Sequence, residues 1–170
     1  MLVASISFAQ ANVSAVNQFG IANAAVVTQV GLANDSDVLQ IGLANLAIVD
    51  QDGRHNEADV NQAGALNFAK VDQRNRRNDA YIGQLGIGNA AFIYQDGRRN
   101  DAVIGQAGFL NYARTTQIGR DNSATNFQLG IGNSSNTMQE GHDNNSLGLQ
   151  VGIGNSANVD QFGEYNNAFT

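Results

Sequence analysis

Residues 78–99 read NDAYIGQLGIGNAAFIYQDGRR, and this stretch contains the features that decide the fold. It consists of two units of 11 residues, each with the pattern Asn-x-Ala-x-Ile-x-Gln-x-Gly-x-x. Units with the same spacing of Asn and Gln run from residue 12 to the end of the chain. Self-similarity at a fixed period indicates stacked copies of one supersecondary unit.

Three residue types mark the unit at fixed places, which we number from position 1 to position 11. Position 1 holds Asn12, Asn23, Asn34, Asn45, Asn56, Asn67, Asn78, Asn89, Asn100, Asn111, Asn122, Asn133, Asn144, Asn155 and Asn166. Position 7 holds Gln18, Gln29, Gln40, Gln51, Gln62, Gln73, Gln84, Gln95, Gln106, Gln117, Gln128, Gln139, Gln150 and Gln161. Position 9 holds Gly20, Gly31, Gly42, Gly53, Gly64, Gly86, Gly97, Gly108, Gly119, Gly130, Gly141, Gly152 and Gly163, and Asn75 replaces it in one unit.

The alternation within a unit indicates a β-strand. An 11-residue period would also suit a right-handed helical coiled coil. A helix would lose nearly 1 kcal/mol at each interior Gly, however. The repeated residues all lie at odd positions, which is the period of 2 that strands show. We therefore predict a seven-residue strand from Asn to Gln, followed by a four-residue turn that contains the Gly.

Odd and even positions differ in size and charge. Position 3 is always Ala or Ser, and position 5 is mostly Val or Ile. From residue 12 onward, every charged residue and every Phe and Tyr lies at an even position or at position 11. This division predicts a thin, dry core between two sheets about 10 Å apart. Position 5 becomes Thr115, Asn126, Thr137 and Gly148 near the C-terminal end, where we expect a weaker core.

The repeated amides and glycines are the candidate site residues. A buried amide without a partner is costly. Asn or Gln stacked on an identical residue can donate to one neighbour and accept from the other, and such ladders stabilise cross-β stacks. We therefore assign the repeated Asn and Gln to structural ladders, in preference to a simple turn preference of polar residues. The repeated Gly is assigned to tight turns, since Gly readily adopts positive φ.

Alternate turns differ, so two units form one rung. The turns after Gln84 and Gln106 read LGIG and AGFL, and no turn of this series is charged. The turns after Gln73 and Gln95 read RNRR and DGRR, and all turns of this series except the first are charged. We predict an all-β fold for residues 12–170. It is a β-solenoid of about 7.5 two-strand rungs of 22 residues, with amyloid-type cross-β stacking of two parallel sheets.

The two outer surfaces are predicted to differ. On one sheet, position 2 places four acidic side chains in one column: Asp35, Glu57, Asp79 and Asp101. Like charges one strand apart repel by roughly 1 kcal/mol in water, and we expect compensation by Arg54, Arg76, Arg77, Arg98 and Arg99. A bridging cation such as Ca²⁺ is the less favoured alternative. The other sheet shows Leu46, Ile48, Phe68, Phe92, Tyr94 and Tyr112, and we expect it to form lateral contacts.

Composition excludes several classes of function. The absence of Cys excludes a disulfide scaffold, and the net charge of −6 lacks the basic field of nucleic-acid binders. No apolar run approaches the roughly 18 residues of a membrane span. His55 and His142 lie in charged turns without an acid–base or nucleophile constellation. We therefore predict neither an enzyme nor a protein that binds a cofactor, a metal, nucleic acid or the membrane interior.

Residues 1–11 are predicted to be separate from the repeats. They are uncharged and mostly apolar, and they end in Ala9-Gln10-Ala11, which fits an A-x-A cleavage site. We interpret them as the remainder of a secretory signal, with a degenerate strand as the alternative.

The spacing Asn-x5-Gln-x-Gly-x2-Asn-x-Ala-x3-Gln, as in residues 12–29 and 78–95, resembles the curlin repeat of bacterial curli subunits. The likeness covers residues 12–170, although that family usually has Ser where this chain has the first Asn. The resemblance implies a secreted subunit that polymerises on the bacterial cell surface into an amyloid fibre of the biofilm matrix and mediates adhesion. It implies the major subunit in the first place and the surface nucleator in the second. Its expected partners are further copies of itself, a nucleator subunit, and the curli secretion pore and chaperones.

One further class of function remains open at this point. A monomeric binding solenoid, such as an ice-binding protein, would need one flat face of identical outward residues. The outward positions of this chain vary from rung to rung, which favours the fibre. The repeat continues to Thr170 without Pro, and such open strand edges favour head-to-tail addition.

Overall fold

The computed structural model describes residues 2–8 and 11–170, and in this part of the chain all regular secondary structure is β-strand. The strands are β1 Leu2–Phe8, β2 Val13–Ile21, β3 Ala24–Leu32, β4 Asp35–Leu43, β5 Leu46–Arg54, β6 Glu57–Ala65, β7 Phe68–Arg76, β8 Asp79–Ile87, β9 Ala90–Arg98, β10 Asp101–Phe109, β11 Tyr112–Arg120, β12 Ser123–Ile131, β13 Ser134–His142, β14 Asn145–Ile153, β15 Ser156–Glu164 and β16 Asn167–Phe169. No helix of these residues is long and apolar enough to span a membrane.

The strands form two eight-stranded parallel sheets. Sheet A contains the odd-numbered strands from β1 to β15, and sheet B contains the even-numbered strands from β2 to β16, each in sequence order. Each residue pairs with the residue 22 positions away, as Val60 pairs with Ile82 and Val49 with Val71. This topology confirms the predicted β-solenoid with two strands and 22 residues per rung, and it has about seven turns.

The core is a thin layer of small side chains between the two sheets. Ala58 and Val60 of sheet B and Ala47 and Val49 of sheet A are completely buried. The neighbouring even positions of these strands face solvent or lie at intermediate depth. Because each unit contributes only one Ala or Ser and one Val or Ile to the interior, the hydrophobic contribution per rung is modest. Main-chain and amide hydrogen bonds must therefore carry a large share of the stability.

The strands are longer and the turns tighter than predicted. Each full strand of the repeats spans nine residues, from position 2 to position 10, so the seven-residue strand with a four-residue turn is wrong. The chain reverses at position 11, which has positive φ in most units, as in Ala22, Leu66 and Arg99. Position 9 also has positive φ, which bends the strand without breaking its pairing with the next rung. The two bends together replace a loop.

A polar cluster replaces the apolar core near the C-terminal end. Asn126 is buried, and its Nδ2 donates to Thr115 Oγ1 at 2.9 Å and to Thr137 Oγ1 at 3.2 Å. Its Oδ1 accepts from Ser135 Oγ at 3.0 Å. Gly148 leaves the space, because a Cβ there would lie 2.7 Å from Asn126 Oδ1. The interior hydrogen bonds thus offset the loss of Val and Ile in these rungs.

Strand β1 extends sheet A by pairing with β3, from Leu2 opposite Ala24 to Phe8 opposite Val30. The division of the chain into residues 1–11 and 12–170 stays a prediction, as does cleavage of the first segment. Ala9 and Gln10 of the proposed cleavage site lie outside the described residues.

Candidate assembly site: amide ladders and charged columns

The Gln residues of position 7 form two continuous ladders along the solenoid axis. In sheet B, Gln40 Nε2 donates to Gln62 Oε1 at 2.8 Å, and Gln62 Nε2 donates to Gln84 Oε1 at 2.9 Å. Sheet A shows the same bond from Gln51 to Gln73 at 2.9 Å. From Gln18 to Gln161, every donor points toward the C-terminal end of the solenoid. The ladders therefore give the solenoid a fixed polarity.

Each Gln also ties the two sheets together. Gln62 Nε2 of sheet B donates a second hydrogen bond, at 3.1 Å, to the main-chain oxygen of Leu46 in sheet A. Gln73 of sheet A makes the corresponding bond to Glu57 O of sheet B at 2.7 Å. Both amide protons of a buried Gln thus have partners, which removes the cost of placing an amide in a dry interior. A Gln at this position seals the core at the edge of each sheet.

The Asn residues of position 1 bind differently from the simple amide exchange that the sequence suggested. Asn67 Nδ2 donates to Asn45 Oδ1 at 3.0 Å and to the main-chain oxygen of Gly86 at 3.0 Å. Asn45 Oδ1 also accepts the main-chain N–H of Asn67 at 3.1 Å. The Asn therefore holds main-chain groups of the corner that no strand ladder can satisfy. These donors point toward the N-terminal end, opposite to those of the Gln ladders.

The Gly residues of position 9 are required by close contact between rungs as well as by conformation. Their φ values lie between 101° and 140°. A Cβ on Gly64 would lie 1.9 Å from the main-chain oxygen of Gly86 in the next rung. Asn75, the one replacement, relaxes to a φ of 73° and donates from Nδ2 to Asp96 Oδ1 at 2.6 Å. Position 9 is thus where the backbones of successive rungs approach most closely.

We expect Gln62→Ala to lower the free energy of unfolding by about 3 kcal/mol, because it breaks ladder bonds on both sides and leaves buried polar groups unpaired. The matched control is Asn61→Ala, which changes the adjacent outward residue and should cost about 0.5 kcal/mol or less. Denaturation of both variants in guanidinium measures the difference. Equal losses at residues 61 and 62 would contradict the ladder assignment.

The predicted acidic column is present on the outer surface of sheet B. Asp35 pairs with Glu57, Glu57 with Asp79, and Asp79 with Asp101 on successive strands. Partial loss of solvation and the charges of Glu57 and Asp101 raise the pKa of Asp79 to about 6. Loss of solvation also raises the pKa of Asp101.

The arginines do not compensate this column in the way the sequence suggested. Among the described residues, the two arginine ion pairs join Arg74 to Asp72 at 3.3 Å and Arg99 to Asp121 at 3.4 Å. None of them reaches the acidic column, because position 2 lies on the outer surface of sheet B and position 10 on that of sheet A. The acids are left to repel one another. The described residues also hold no group of three or more His, Asp or Glu side chains arranged to bind a metal.

We expect the folded protein to become more stable as the pH falls from about 7 toward about 5. Because the folded-state pKa of Asp79 is raised, the folded state binds more protons than the unfolded chain between the two pKa values. Stability is therefore gained as the pH falls through the folded pKa. Asp79→Asn should raise stability at neutral pH and flatten the profile, and denaturation at several pH values tests both effects. An unchanged profile in this variant would contradict the assignment.

The two histidines lie in charged corners. His55 is exposed at position 11 of its unit. His142 Nε2 contacts Glu164 Oε1 at 2.5 Å, and its ring meets Tyr165 edge-on. These contacts stack one rung on the next.

Comparison with family models identifies the curlin associated repeat in residues 31–64, 67–97 and 97–130, together more than half of the chain. No curated protein and no solved structure matched the chain. The matched segments contain both amide ladders, the acidic column and the alternating apolar and charged turns described above. The chain therefore belongs to the curlin repeat family, a family of structural amyloid subunits of curli-type extracellular fibres.

Proposed function

We propose that this protein is a structural subunit that polymerises head to tail into an extracellular fibre on the bacterial cell surface. The fibre contributes to the biofilm matrix and to adhesion. The role of major subunit is the first choice, and that of the surface nucleator is the second. By family membership, the partners would be further copies of this chain, a nucleator subunit, and the curli secretion pore and chaperones.

The observation that carries this proposal is the uniform polarity of the ladders. All Gln amides donate toward the C-terminal end, and the Asn amides that join neighbouring rungs donate toward the N-terminal end. The two ends of the solenoid are therefore different, and a second copy can continue both ladders only in the same direction. This favours a head-to-tail contact, which is heterologous and does not close into a ring.

The end strands support the same arrangement. Within residues 11–170, β2 pairs on one side with β4, and β15 pairs on one side with β13. The free edge of such a strand carries unpaired N–H and C=O groups and acts as a template for another chain. A parallel, in-register addition at this edge repeats the contact that each rung already makes with the next.

Incubation of the purified protein, followed by electron microscopy and fibre diffraction, tests the proposal. We expect unbranched filaments with a meridional spacing of about 4.8 Å. A protein that stays monomeric at high concentration, with this fold intact, would rule the proposal out. Addition to a strain that lacks its nucleator separates the two subunit roles, because only a nucleator restores fibre formation by another subunit.

A further inference from the structure

A column of basic residues runs along the charged edge of sheet A. Position 10 places Arg54 opposite Arg76, Arg76 opposite Arg98, and Arg98 opposite Arg120 on successive strands. Among the described residues, none of these four arginines has an ion-pair partner. Arg98 Nε is buried without a hydrogen-bond partner. Four stacked guanidinium groups with no anion beside them are costly, so this column favours an external partner.

The basic column and the acidic column lie at the same edge of the solenoid on opposite outer surfaces. Only two residues separate them in each of three successive corners: Arg54 from Glu57, Arg76 from Asp79, and Arg98 from Asp101. Both columns repeat once per rung, about 4.8 Å apart. The chain thus carries two uncompensated columns of opposite charge with the same spacing.

We propose that sheet A of one copy packs on sheet B of a second copy, so that the basic column of the first faces the acidic column of the second. A second copy displaced perpendicular to the sheets, without rotation, brings these columns together because both lie at the same edge. The equal spacing lets each arginine meet one carboxylate over several rungs. The contact rests on the proposed fibre, and it joins neighbouring filaments laterally in parallel orientation.

The rest of the two surfaces fits this displacement. Sheet A carries an aromatic ridge in which the ring centroids of Phe68 and Phe92 are 5.3 Å apart. Sheet B carries an apolar groove of about 490 Å³ whose floor includes Gly83 and Gly105. The displacement places positions 4 and 6 of sheet A, including Phe92 and Tyr94, over positions 8 and 6 of sheet B. Aromatic side chains thus meet the groove at the glycines, where the outer surface has the most room.

The groove changes the lateral surface that the sequence suggested. Sheet A alone was expected to form it, but large apolar side chains are also exposed on sheet B and its corners, such as Leu85 at 61%, Leu129 at 54% and Ile153 at 78%. Two different surfaces of the same chain therefore complement each other. This favours a contact between unlike faces over one between identical faces.

Two charge-reversal variants test the contact. The first, Arg76→Glu with Arg98→Glu, makes both columns acidic, and the second, Glu57→Arg with Asp79→Arg, makes both basic. Each variant alone should form single filaments that no longer bundle, as seen by electron microscopy and low-speed sedimentation. A mixture of the two preformed filaments should bundle again, since each then offers the charge that the other needs. A role limited to the fold of one chain would not be restored by mixing.

The wild-type filaments provide a control that needs no substitution. Bundles that form at about 0.01 M salt should separate at about 1 M, where the screening length falls from about 30 Å to about 3 Å. Single filaments at both salt concentrations would overturn the lateral contact, as would a mixture of variants that stays unbundled. Wild-type filaments that bind a sulfated polysaccharide but never bundle would assign the basic column to a polyanion instead. Absence of any filament would overturn the proposed fibre as well, so the two failures are distinguishable.

Discussion

Val60→Asp should abolish folding of the solenoid and its assembly into fibres. Val60 is completely buried in sheet B, where its neighbours are Val38 and Ile82 on the adjacent strands. A carboxylate in this dry layer has no partner, and we expect a loss of at least about 4 kcal/mol in the free energy of unfolding. Circular dichroism and thioflavin T fluorescence measure the loss of strand content and of fibres.

The adjacent outward residue gives a matched control for this substitution. Asp59→Asn removes a charge whose pKa is raised by partial desolvation and by Glu57, Asp37 and Asp35, so it should leave folding intact. The pair Val49→Asp and Asp50→Asn repeats the comparison in sheet A, because Val49 is buried and Asp50 is not. Equal tolerance at buried and outward sites would refute the inward and outward assignment of the odd and even positions.

Gly130→Ala should be nearly as damaging, although it adds only a methyl group. Gly130 has a φ of 131°, and its added Cβ would lie 1.9 Å from the main-chain oxygen of Gly152 in the next rung. Neither the backbone angle nor the separation of the rungs can relax without breaking the parallel pairing of β12 with β14. We expect a loss of about 3 kcal/mol or more in the free energy of unfolding.

Gly132 lies two residues further in the same corner and provides the control. It has a φ of 63°, and a Cβ there would meet no atom within 4 Å. Other units already place Ala at this position with similar angles, as in Ala22 and Ala44. Gly132→Ala should therefore cost about 1 kcal/mol. Denaturation midpoints of both variants test the difference, and losses of equal size would show that contact between rungs does not explain the Gly of position 9.

Much of the fold could be predicted because the repeat places each residue type at a constant position. Ala58 and Val60 are identified as core residues from one unit, and fourteen further units repeat the evidence. The 22-residue rung follows from two adjacent turns, since LGIG after Gln84 and DGRR after Gln95 cannot belong to the same edge. The acidic column follows directly, because the register of parallel strands in a repeat is fixed by the repeat length.

The details of the site were less accessible. The left-handed conformation of position 11 was missed because Leu66, Arg77 and Tyr165 are not residues that signal it. The main-chain bonds of the Asn ladder were missed because they join Asn67 to Gly86, 19 residues away, across a corner whose shape was unknown. The arginine column was hidden for a similar reason. Position 10 was placed in a turn, and side chains in a turn have no predictable column.

The sequence by itself determined the strand period, the length of the rung, the thin core and the division between inward and outward residues. These properties depend on the type of side chain at each position and on a constant spacing, and both can be read along the chain. Only the tertiary structure decided which main-chain groups the amides hold, the polarity of the ladders, and the opposite surfaces on which the charged columns lie. Those properties depend on how two sheets stack and turn, because their partners lie 16, 19 and 22 residues apart, as for Gln62 with Leu46, Asn67 with Gly86 and Gln62 with Gln84.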